Sequence, residues 1–433
     1  MTDAPARDYV SGALAPVPDE VTVTDLAVTG SLPADLAGRY VRNGPNPIDA
    51  DPATQHWFTG AGMVHGVRLR DGRAEWYRNR FVRATDPPDA AVNTNVCRLG
   101  GRTFALVEAG TQPVELTDEL ESLGTNAFDG TLEGAYTAHP HTDPRTGLIH
   151  AVTYHWVEEA VRHVVNDGAR VVREEVIPVG GRPMVHDCAL TGSSVLLFDL
   201  PVTFDLDDAM AGDPFPYHWD AERPARVGVL PLDGGADAVR WVEVPPCYVF
   251  HPMNAHDLPD GRVEVVVCRW ERMFDRDRLG PNEGTLRLER WVLDPATGRS
   301  STEVLDDRSQ EFPRVDERRT GTPTRYGWTS GLEEPGAVHA PLFHHDLAAG
   351  TVAVVDFGPT SAAQEFVFVP ADPSPAAPED DGWLLGLVSD RAEGTTDLVV
   401  LAAGDPAAGP VARVHLPGRV PDGFHGNWFA DPA

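Results

Sequence analysis

Four of the chain's 16 histidines share a local context that could support metal chemistry. Each lies among apolar or small residues beside a turn-forming group: His139 in AYTAHPHTDP, His186 in MVHDCALT, His251 in YVFHPMNAHD and His425 in GFHGNWFA. A buried neutral imidazole needs partners for its ring nitrogens, and one metal ion could serve all four rings. They stand 47, 65 and 174 positions apart, so spacing alone leaves open whether they bind one ion or are separately satisfied core histidines.

Three glutamates in apolar surroundings fit the same hypothesis. Glu108 lies in TFALVEAG, Glu311 in SQEFPRVD and Glu365 in AAQEFVFVP. A carboxylate is costly to bury alone, whereas metal-binding histidines usually donate their second N–H to a carboxylate or carbonyl oxygen. The alternative is that each glutamate pairs with an arginine, for example Glu311 with the nearby Arg314.

Composition excludes several classes of function. The net charge of −31 argues against nucleic-acid binding, because phosphates would be repelled. All 35 basic residues are arginine, which rules out mechanisms that need a lysine, such as a Schiff base or a P-loop. The sequence shows no signal segment and no apolar run long enough to span a bilayer, and its four cysteines form no CxxC motif. We therefore expect a cytoplasmic protein with reduced thiols.

Short apolar, β-branched runs separated by turns rich in Gly, Asp, Pro or Asn make up most of the chain. Examples are SSVLLFDLPVTF and RVEVVVCRWE, and the segments RDGR and DPATGR are typical of hairpin turns. Helical patterns are limited to TDELESLG and DLDDAMAGD. Because no linker or break in composition divides the chain, we expect an all-β propeller of four-stranded blades. Residues 1–433 would form a single domain, with 1–30 as its N-terminal lead-in.

A series of motifs runs in order along nearly the whole chain. It begins with GRYVRNGPNP (38–47) and HWFTGAGMVHGVRLRDG (56–72), continues through NTNV, TAHPHTDPRTG, MVHDCALT, FHPMNAHD, EFPRVDERRTG and QEFVFVP, and closes with FHGNWF. This ordered set resembles the carotenoid cleavage oxygenase family, which includes the stilbene-cleaving oxygenases and the retinoid isomerohydrolase of the eye.

The resemblance implies a seven-bladed β-propeller whose loops and short helices cap one non-haem Fe(II) on the axis. By motif, the implied metal ligands are His139, His186, His251 and His425, the glutamates beside them are Glu108, Glu311 and Glu365, and the residue near an open metal position is Thr94. Four imidazoles leave an octahedral iron two open positions for oxygen or water, whereas a structural zinc site normally closes at four ligands. The implied reaction is cleavage of an alkene double bond by O2 into two carbonyl fragments.

Two positions bear on the substrate. Family members that act on phenols read the hydroxyl with a lysine just before the first glutamate and a tyrosine further upstream. The matching residues here are Val107 and, by a looser alignment, Phe81, so an apolar conjugated alkene is expected, with an apocarotenoid or carotenoid favoured. A stilbenoid or phenylpropanoid alkene is the alternative.

The aromatic segment DPFPYHWDAERP (213–224) is expected near the mouth of the site. It would line a hydrophobic tunnel or contact a membrane, unless it is only a packed loop with Tyr217 and Trp219 buried. Two further hypotheses stay open on the sequence alone. A non-catalytic propeller could bind a ligand with its histidines in the core, since propellers host many functions, or the iron centre could isomerise a polyene without oxygen.

Overall fold

The computed structural model of the protein describes residues 8–280, 283–332 and 337–432. Within these ranges the chain forms seven sheets of four or five antiparallel strands and one separate two-stranded sheet. The expectation of an all-β, seven-bladed propeller is therefore confirmed.

The strands of the first half, in chain order, are β1 (Thr22–Thr24), β2 (Val28–Gly30), β3 (Gly38–Pro45), β4 (Gly62–Arg70), β5 (Arg73–Phe81), β6 (Asn95–Leu99), β7 (Arg102–Leu106), β8 (Val114–Leu116), β9 (Ser122–Thr125), β10 (His141–Thr142), β11 (Ile149–Tyr154), β12 (Ala160–Asn166), β13 (Val171–Pro178), β14 (Cys188–Leu190), β15 (Ser194–Asp199) and β16 (Val202–Phe204). Those of the second half are β17 (Tyr217–Trp219), β18 (Arg226–Pro231), β19 (Arg240–Glu243), β20 (Tyr248–Asp257), β21 (Val263–Arg272), β22 (Glu283–Asp294), β23 (Arg299–Asp306), β24 (Gln310–Arg314), β25 (Tyr326–Gly331), β26 (Leu342–Asp346), β27 (Thr351–Val355), β28 (Ser361–Pro370), β29 (Gly382–Asp390), β30 (Thr395–Ala402), β31 (Ala412–His415) and β32 (Gly426–Ala430).

Seven blades follow one another in chain order, and blades 2 to 7 each start at the innermost strand, whereas the innermost strand of blade 1 is β32, the last of the described strands. From inside to outside they are blade 1 (β32, β3, β4, β5, β1), blade 2 (β6 to β9), blade 3 (β10 to β13), blade 4 (β14, β15, β18, β19), blade 5 (β20 to β23), blade 6 (β24 to β27) and blade 7 (β28 to β31, then β2). The ring is closed twice, because β32 supplies the inner edge of the first blade and β2 the outer edge of the last. The expected lead-in thus contributes β1 and β2 to two blades.

Hairpin turns and apolar faces explain why these segments become strands. RDGR joins β4 to β5 through the pair Arg70 and Arg73, and DPATGR joins β22 to β23. β15 reads SVLLFD and is buried along its whole length, because it lies inside a blade with neighbours on both sides. Apolar side chains then pack between blades, as where Val67 of β4 and Leu398 of β30 share one core cluster.

Helices are few and short in the described part of the chain. DLDDAMAGD forms α1 (Leu206–Met210), capped by the Asp205 carboxylate, which accepts from two backbone N–H groups. The short 3-10 helices are Gly12–Leu14, Ala236–Ala238, Glu317–Arg319 and Pro406–Ala408. α1 and the β16–β17 hairpin are both inserted between β15 and β18 of blade 4.

The helix expected over TDELESLG (117–124) is wrong. The Thr117 hydroxyl accepts from the backbone N–H groups of Glu119 and Glu121, and Leu120 has a φ of 68°, so the segment turns. It then enters β9, which pairs with β8. Local side-chain bonding and sheet pairing therefore override a weak helical pattern.

Interblade packing should dominate stability. Leu398 is 0% exposed in the cluster between blades 1 and 7, so Leu398→Ala should destabilise the fold by about 2–5 kcal/mol, through lost burial and a cavity. The lowered midpoint of thermal unfolding measures this. Val354→Ala, at a side chain 46% exposed, should change stability by less than about 0.5 kcal/mol, and equal effects of the two variants would contradict the packing described.

Candidate metal centre

Four histidines from four blades converge on the propeller axis. His139 precedes the inner strand of blade 3, His186 that of blade 4 and His425 that of blade 1, while His251 lies on the inner strand of blade 5. One ring nitrogen from each lies within 4.8 Å of those of the others. The structure thus brings together residues separated by up to 286 positions in the sequence, from His139 to His425.

Three of these histidines are held by the three glutamates singled out from the sequence. Each pair joins a ring Nδ1–H to a carboxylate oxygen: His186 with Glu108, His251 with Glu311 (2.6 Å) and His425 with Glu365 (3.0 Å). Donation from Nδ1 fixes the tautomer, so Nε2 carries the lone pair. All three Nε2 atoms therefore point to the axis as acceptors.

The Nε2 atoms lie close enough to one another to bind the same cation. Nε2 of His251 lies 3.1 Å from Nε2 of His186 and 3.1 Å from Nε2 of His425. Two lone pairs that face each other at hydrogen-bond distance repel unless a positive charge lies between them. A divalent cation with a preference for imidazole would supply that charge.

His139 supports the same conclusion independently. Its Nε2 is buried and has no hydrogen-bond partner among the described residues, an uncommon and costly state for a polar atom. Burial, reinforced by the other three rings, lowers the pKa of His139 well below its usual value, so this imidazole is neutral. Its Nδ1 lies 3.8 Å from Oδ2 of Asp187, whose other oxygen contacts Nε2 of His141 at 2.7 Å. The free lone pair of His139 is the fourth donor that the cation would need.

The surroundings of Glu365 favour an ionised carboxylate. Burial alone would raise the pKa of Glu365, but His425 and Arg314 outweigh it and lower that pKa to about 2. Arg314 thus contacts Glu365, at 3.4 Å, and not Glu311, with which the sequence allowed a pair. Glu311 instead accepts hydrogen bonds from the indole N–H of Trp270 and from the backbone N–H of Phe312, both at 2.9 Å.

Backbone irregularities aim these side chains inward. The pairing register shifts around His251 in β20, after Glu311 in β24 and around Glu365 in β28. A bulge bends the strand and redirects a side chain, and it is common beside active sites. Phe312 also has a φ of 55°, a strained value for an aromatic residue, and its ring contacts those of His251 and His425.

A cavity of about 640 Å³ opens on one side of the histidines. Its wall is mainly apolar and aromatic, and its lining includes His186, His251, His425, Trp57, Phe58, Val107, Thr94, Met184, Phe204, Phe215, Tyr154, Tyr217, Phe250, Phe312 and Phe424. Phe58 makes edge-on contacts with Phe215, Phe250 and Phe424 at centroid distances of 5.6 to 5.7 Å. Such a wall excludes water and suits a hydrophobic ligand.

The remaining predicted site residues have different outcomes. Thr94 and Val107 line this cavity, and the Thr94 hydroxyl donates to Oδ1 of Asn93 at 3.1 Å. Phe81 is not among the described residues that line it, because it ends β5, the fourth strand out from the axis, where its backbone N–H donates to Glu20. The segment 83–93 supplies the apolar wall instead, through Pro87, Ala90 and Ala91.

The aromatic segment 213–224 both lines the cavity and packs into the protein, two of the roles expected from its sequence. Asp213 to Tyr217 line the cavity, and Tyr217 and Trp219 are buried. Sequence reasoning missed Tyr154, whose hydroxyl donates to Glu108; the only available signal was its position at the end of an apolar strand run. It also missed Asp187, which directly follows His186 and faces a second cavity.

That second cavity, of about 440 Å³, lies on the other side of the histidines and is more polar. His139, His251 and His425 line it together with Arg98, His141, Asp187, Asn254, Arg314, Glu317 and Arg318. The histidines therefore lie between an apolar cavity and a more polar one.

Comparison with known proteins identifies the family. The chain matches the family model of retinal pigment epithelial membrane protein over residues 14–430. It is 43% identical to the carotenoid cleavage oxygenase of Mycobacterium tuberculosis (strain ATCC 25618 / H37Rv), over 99% of each chain. Among solved structures, Pseudomonas brassicacearum lignostilbene dioxygenase matches with a TM-score of 0.89 and 27% identity over 100% of both chains. Cobalt-substituted Synechocystis apocarotenoid oxygenase matches with a TM-score of 0.86 and 25% identity, over 96% of this chain and 97% of that one. This chain therefore belongs to the carotenoid cleavage oxygenase family.

Proposed function

We propose that this chain, acting as a single propeller domain, is an Fe(II)-dependent dioxygenase that cleaves a C=C double bond of an apolar conjugated alkene. The observation that carries the proposal is the convergence of four imidazole lone pairs at the wall of an apolar cavity. The overall reaction consumes one O2, breaks the double bond and places one oxygen atom in each of two carbonyl products. Carotenoid cleavage by a relative that is 43% identical supports this reaction class.

His139, His186, His251 and His425 would hold the iron, and bound Fe(II) would supply the electrons that activate O2. The protein's own contribution is orientation and the exclusion of water. Glu108, Glu311 and Glu365 lock the rings, while aromatic side chains keep the chamber dry. The Thr94 hydroxyl donates its hydrogen bond to Asn93, so it has no hydrogen left to donate to a bound substrate.

The cavity wall supports an apolar substrate, with an apocarotenoid or carotenoid favoured. Val107, Ala90 and Ala91 line the cavity and add no polar side chain to its wall. Two tyrosine hydroxyls do lie in the wall, but Tyr154 donates to Glu108 and Tyr217 is hydrogen-bonded to Tyr154 at 3.0 Å. A stilbenoid or phenylpropanoid alkene is the second candidate, favoured by the structural match to a lignostilbene dioxygenase.

The surface near the cavity is proposed to contact the lipid phase in which such substrates dissolve. Trp156 and Ala209 line the cavity, and beside them Val157 and Met210 are 63% and 80% exposed. No helix among the described residues is both long and apolar enough to cross a bilayer. We also propose a cytoplasmic location, supported by four cysteines that form no disulfide in the structure.

Removal of a ligand should abolish metal binding and turnover together. Iron-loaded wild-type protein should cleave an apocarotenoid under 18O2 to two labelled carbonyl products, identified by mass. His186→Ala and His425→Ala should lose iron and at least about 100-fold of the activity, since outer partners of metal ligands alone are worth about 10- to 100-fold. His415→Ala, at an exposed histidine paired with Asp397, is the control.

Three outcomes would overturn the proposal. Wild-type protein that binds no iron would favour a non-catalytic binding propeller. Equal product formation without O2 would indicate isomerisation, and wild-type iron content in both histidine variants would refute the ligand assignment.

Val107→Lys should shift the selectivity toward phenols. A cation beside Glu108 in this wall could bind a substrate hydroxyl, whereas the native wall leaves that hydroxyl without a partner. The ratio of kcat/KM for 4-hydroxystilbene to that for stilbene should rise by about tenfold or more. Val107→Met adds length without charge and should leave the ratio near that of the wild type. A ratio unchanged in both variants would show that this wall does not contact the substrate end.

Two acidic substitutions should weaken binding to lipid vesicles. The double variant Val157→Glu, Met210→Glu removes apolar area at the proposed contact, so partitioning into phosphatidylcholine vesicles should fall about tenfold or more in a sedimentation assay. Val354→Glu, on the outer strand of blade 6, should have no effect. Equal sedimentation of wild type and double variant would contradict the proposed contact.

A further inference from the structure

Tyr154 joins the metal centre to the cap over the cavity. It ends β11 in blade 3 and is 3% exposed, and its hydroxyl donates to Oε1 of Glu108, whose Oε2 accepts from His186. The Tyr154 oxygen also lies 3.0 Å from the hydroxyl of Tyr217, on the inserted hairpin. Because the Tyr154 hydroxyl donates its single hydrogen to Glu108, it can only accept from Tyr217, so Tyr217 must donate to Tyr154. One directed chain thus runs from the cap to a candidate metal ligand.

Glu108 is supported differently from the other two glutamates. Glu365 accepts the backbone N–H of Gly426 at 2.7 Å and contacts Arg314, and Glu311 accepts one backbone and one indole N–H. Among the described residues, the hydrogen-bond donors to Glu108 are Tyr154 and His186 alone. Its second oxygen therefore depends on a single hydroxyl.

The backbone at Glu108 adds little restraint. Glu108 follows the end of β7 outside any strand, and the next residue, Ala109, has a φ of 53°, so the carboxylate sits on a turn. The other two glutamates lie on inner strands of their blades. A carboxylate on a turn relies more heavily on its side-chain contacts to stay in place.

We propose that Tyr154 is a positioning residue, which fixes Glu108 against His186 and thereby tightens the metal centre. Burial, together with Glu108, raises the pKa of Tyr154 well above its usual value, so its hydroxyl remains a proton donor. The inference rests on the proposed function, because it requires that the four histidines bind a metal.

Titration of metal-free protein with Co2+ tests the role directly, with the visible absorption of bound Co2+ as readout. Tyr154→Phe should weaken Co2+ binding about tenfold, as loss of an outer partner of a metal ligand typically does, and should alter the absorption bands. Tyr217→Phe leaves the bond to Glu108 intact and should have a smaller effect. Tyr136→Phe is the matched control, since that tyrosine is 1% exposed and its hydroxyl is bonded to Asn166, away from the centre.

A double-mutant cycle separates positioning from general loss of structure. Glu108→Gln should weaken Co2+ binding on its own, and adding Tyr154→Phe should then cost little more, because Tyr154 acts through Glu108. The thermal unfolding midpoint of each metal-free variant shows that it is folded. If Tyr154→Phe does not fold, wild-type Co2+ affinity in Glu108→Gln overturns the proposal.

The outcomes distinguish this inference from the proposed function. Wild-type protein that binds neither Co2+ nor Fe2+ counts against the metal centre itself. Wild-type affinity and unchanged absorption bands in Tyr154→Phe overturn the role of Tyr154 alone, as does full additivity in the cycle.

Discussion

The candidate metal centre depends on keeping several imidazole lone pairs pointed at one another. Nε2 of His251 lies 3.1 Å from two other Nε2 atoms, an arrangement in which the lone pairs repel one another unless a proton or a metal ion lies between them. The protein resists that repulsion by holding three of the rings from behind with carboxylates. A rigid frame is required for this, because a ring that could swing away would relieve the repulsion and lose the site.

The propeller provides that frame by giving each blade one position at the axis. Each inner strand, or one of the two residues before it, carries one residue of the site: Thr94 in blade 2, His139 in blade 3, His186 in blade 4, His251 in blade 5, Glu311 in blade 6, Glu365 in blade 7 and His425 in blade 1. Glu108 is the exception, because it comes from the turn after the second strand of blade 2. The seven blades thus contribute four candidate metal ligands, two glutamates that hold ligand rings and one residue of the cavity wall.

The sequence predicted the fold and most of the centre because both leave local marks. The alternation of apolar runs and turns identifies strands. Histidines and glutamates within apolar sequence motifs also stand out, because burying them without partners is costly. Their convergence was not visible in the spacing and came from the ordered resemblance to a family. Phe81 shows the limit of a loose alignment to a family motif. That alignment predicted Phe81 in the substrate cavity, whereas the residue ends the fourth strand of its blade.

Residues that act through tertiary contacts left no comparable signal. Tyr154 reads as an ordinary residue in an apolar strand run, and only the fold shows its hydroxyl on Glu108. Asp187 is adjacent to a predicted ligand, yet its carboxylate contacts Nε2 of His141, and only the fold shows that both line the second cavity. The failed helix at 117–124 has the same origin, since a threonine side chain and a neighbouring strand decided that segment.

The double closure of the ring has a consequence for biosynthesis. β32 follows every other strand in chain order, and His425 directly precedes it. A growing polypeptide that has left the ribosome only as far as β31 has an open ring and three imidazoles, which hold a cation less tightly than four. Completion of the four-histidine cluster and completion of the ring therefore coincide, and a translation product that stops after β31 lacks both the inner strand of blade 1 and one of the four histidines.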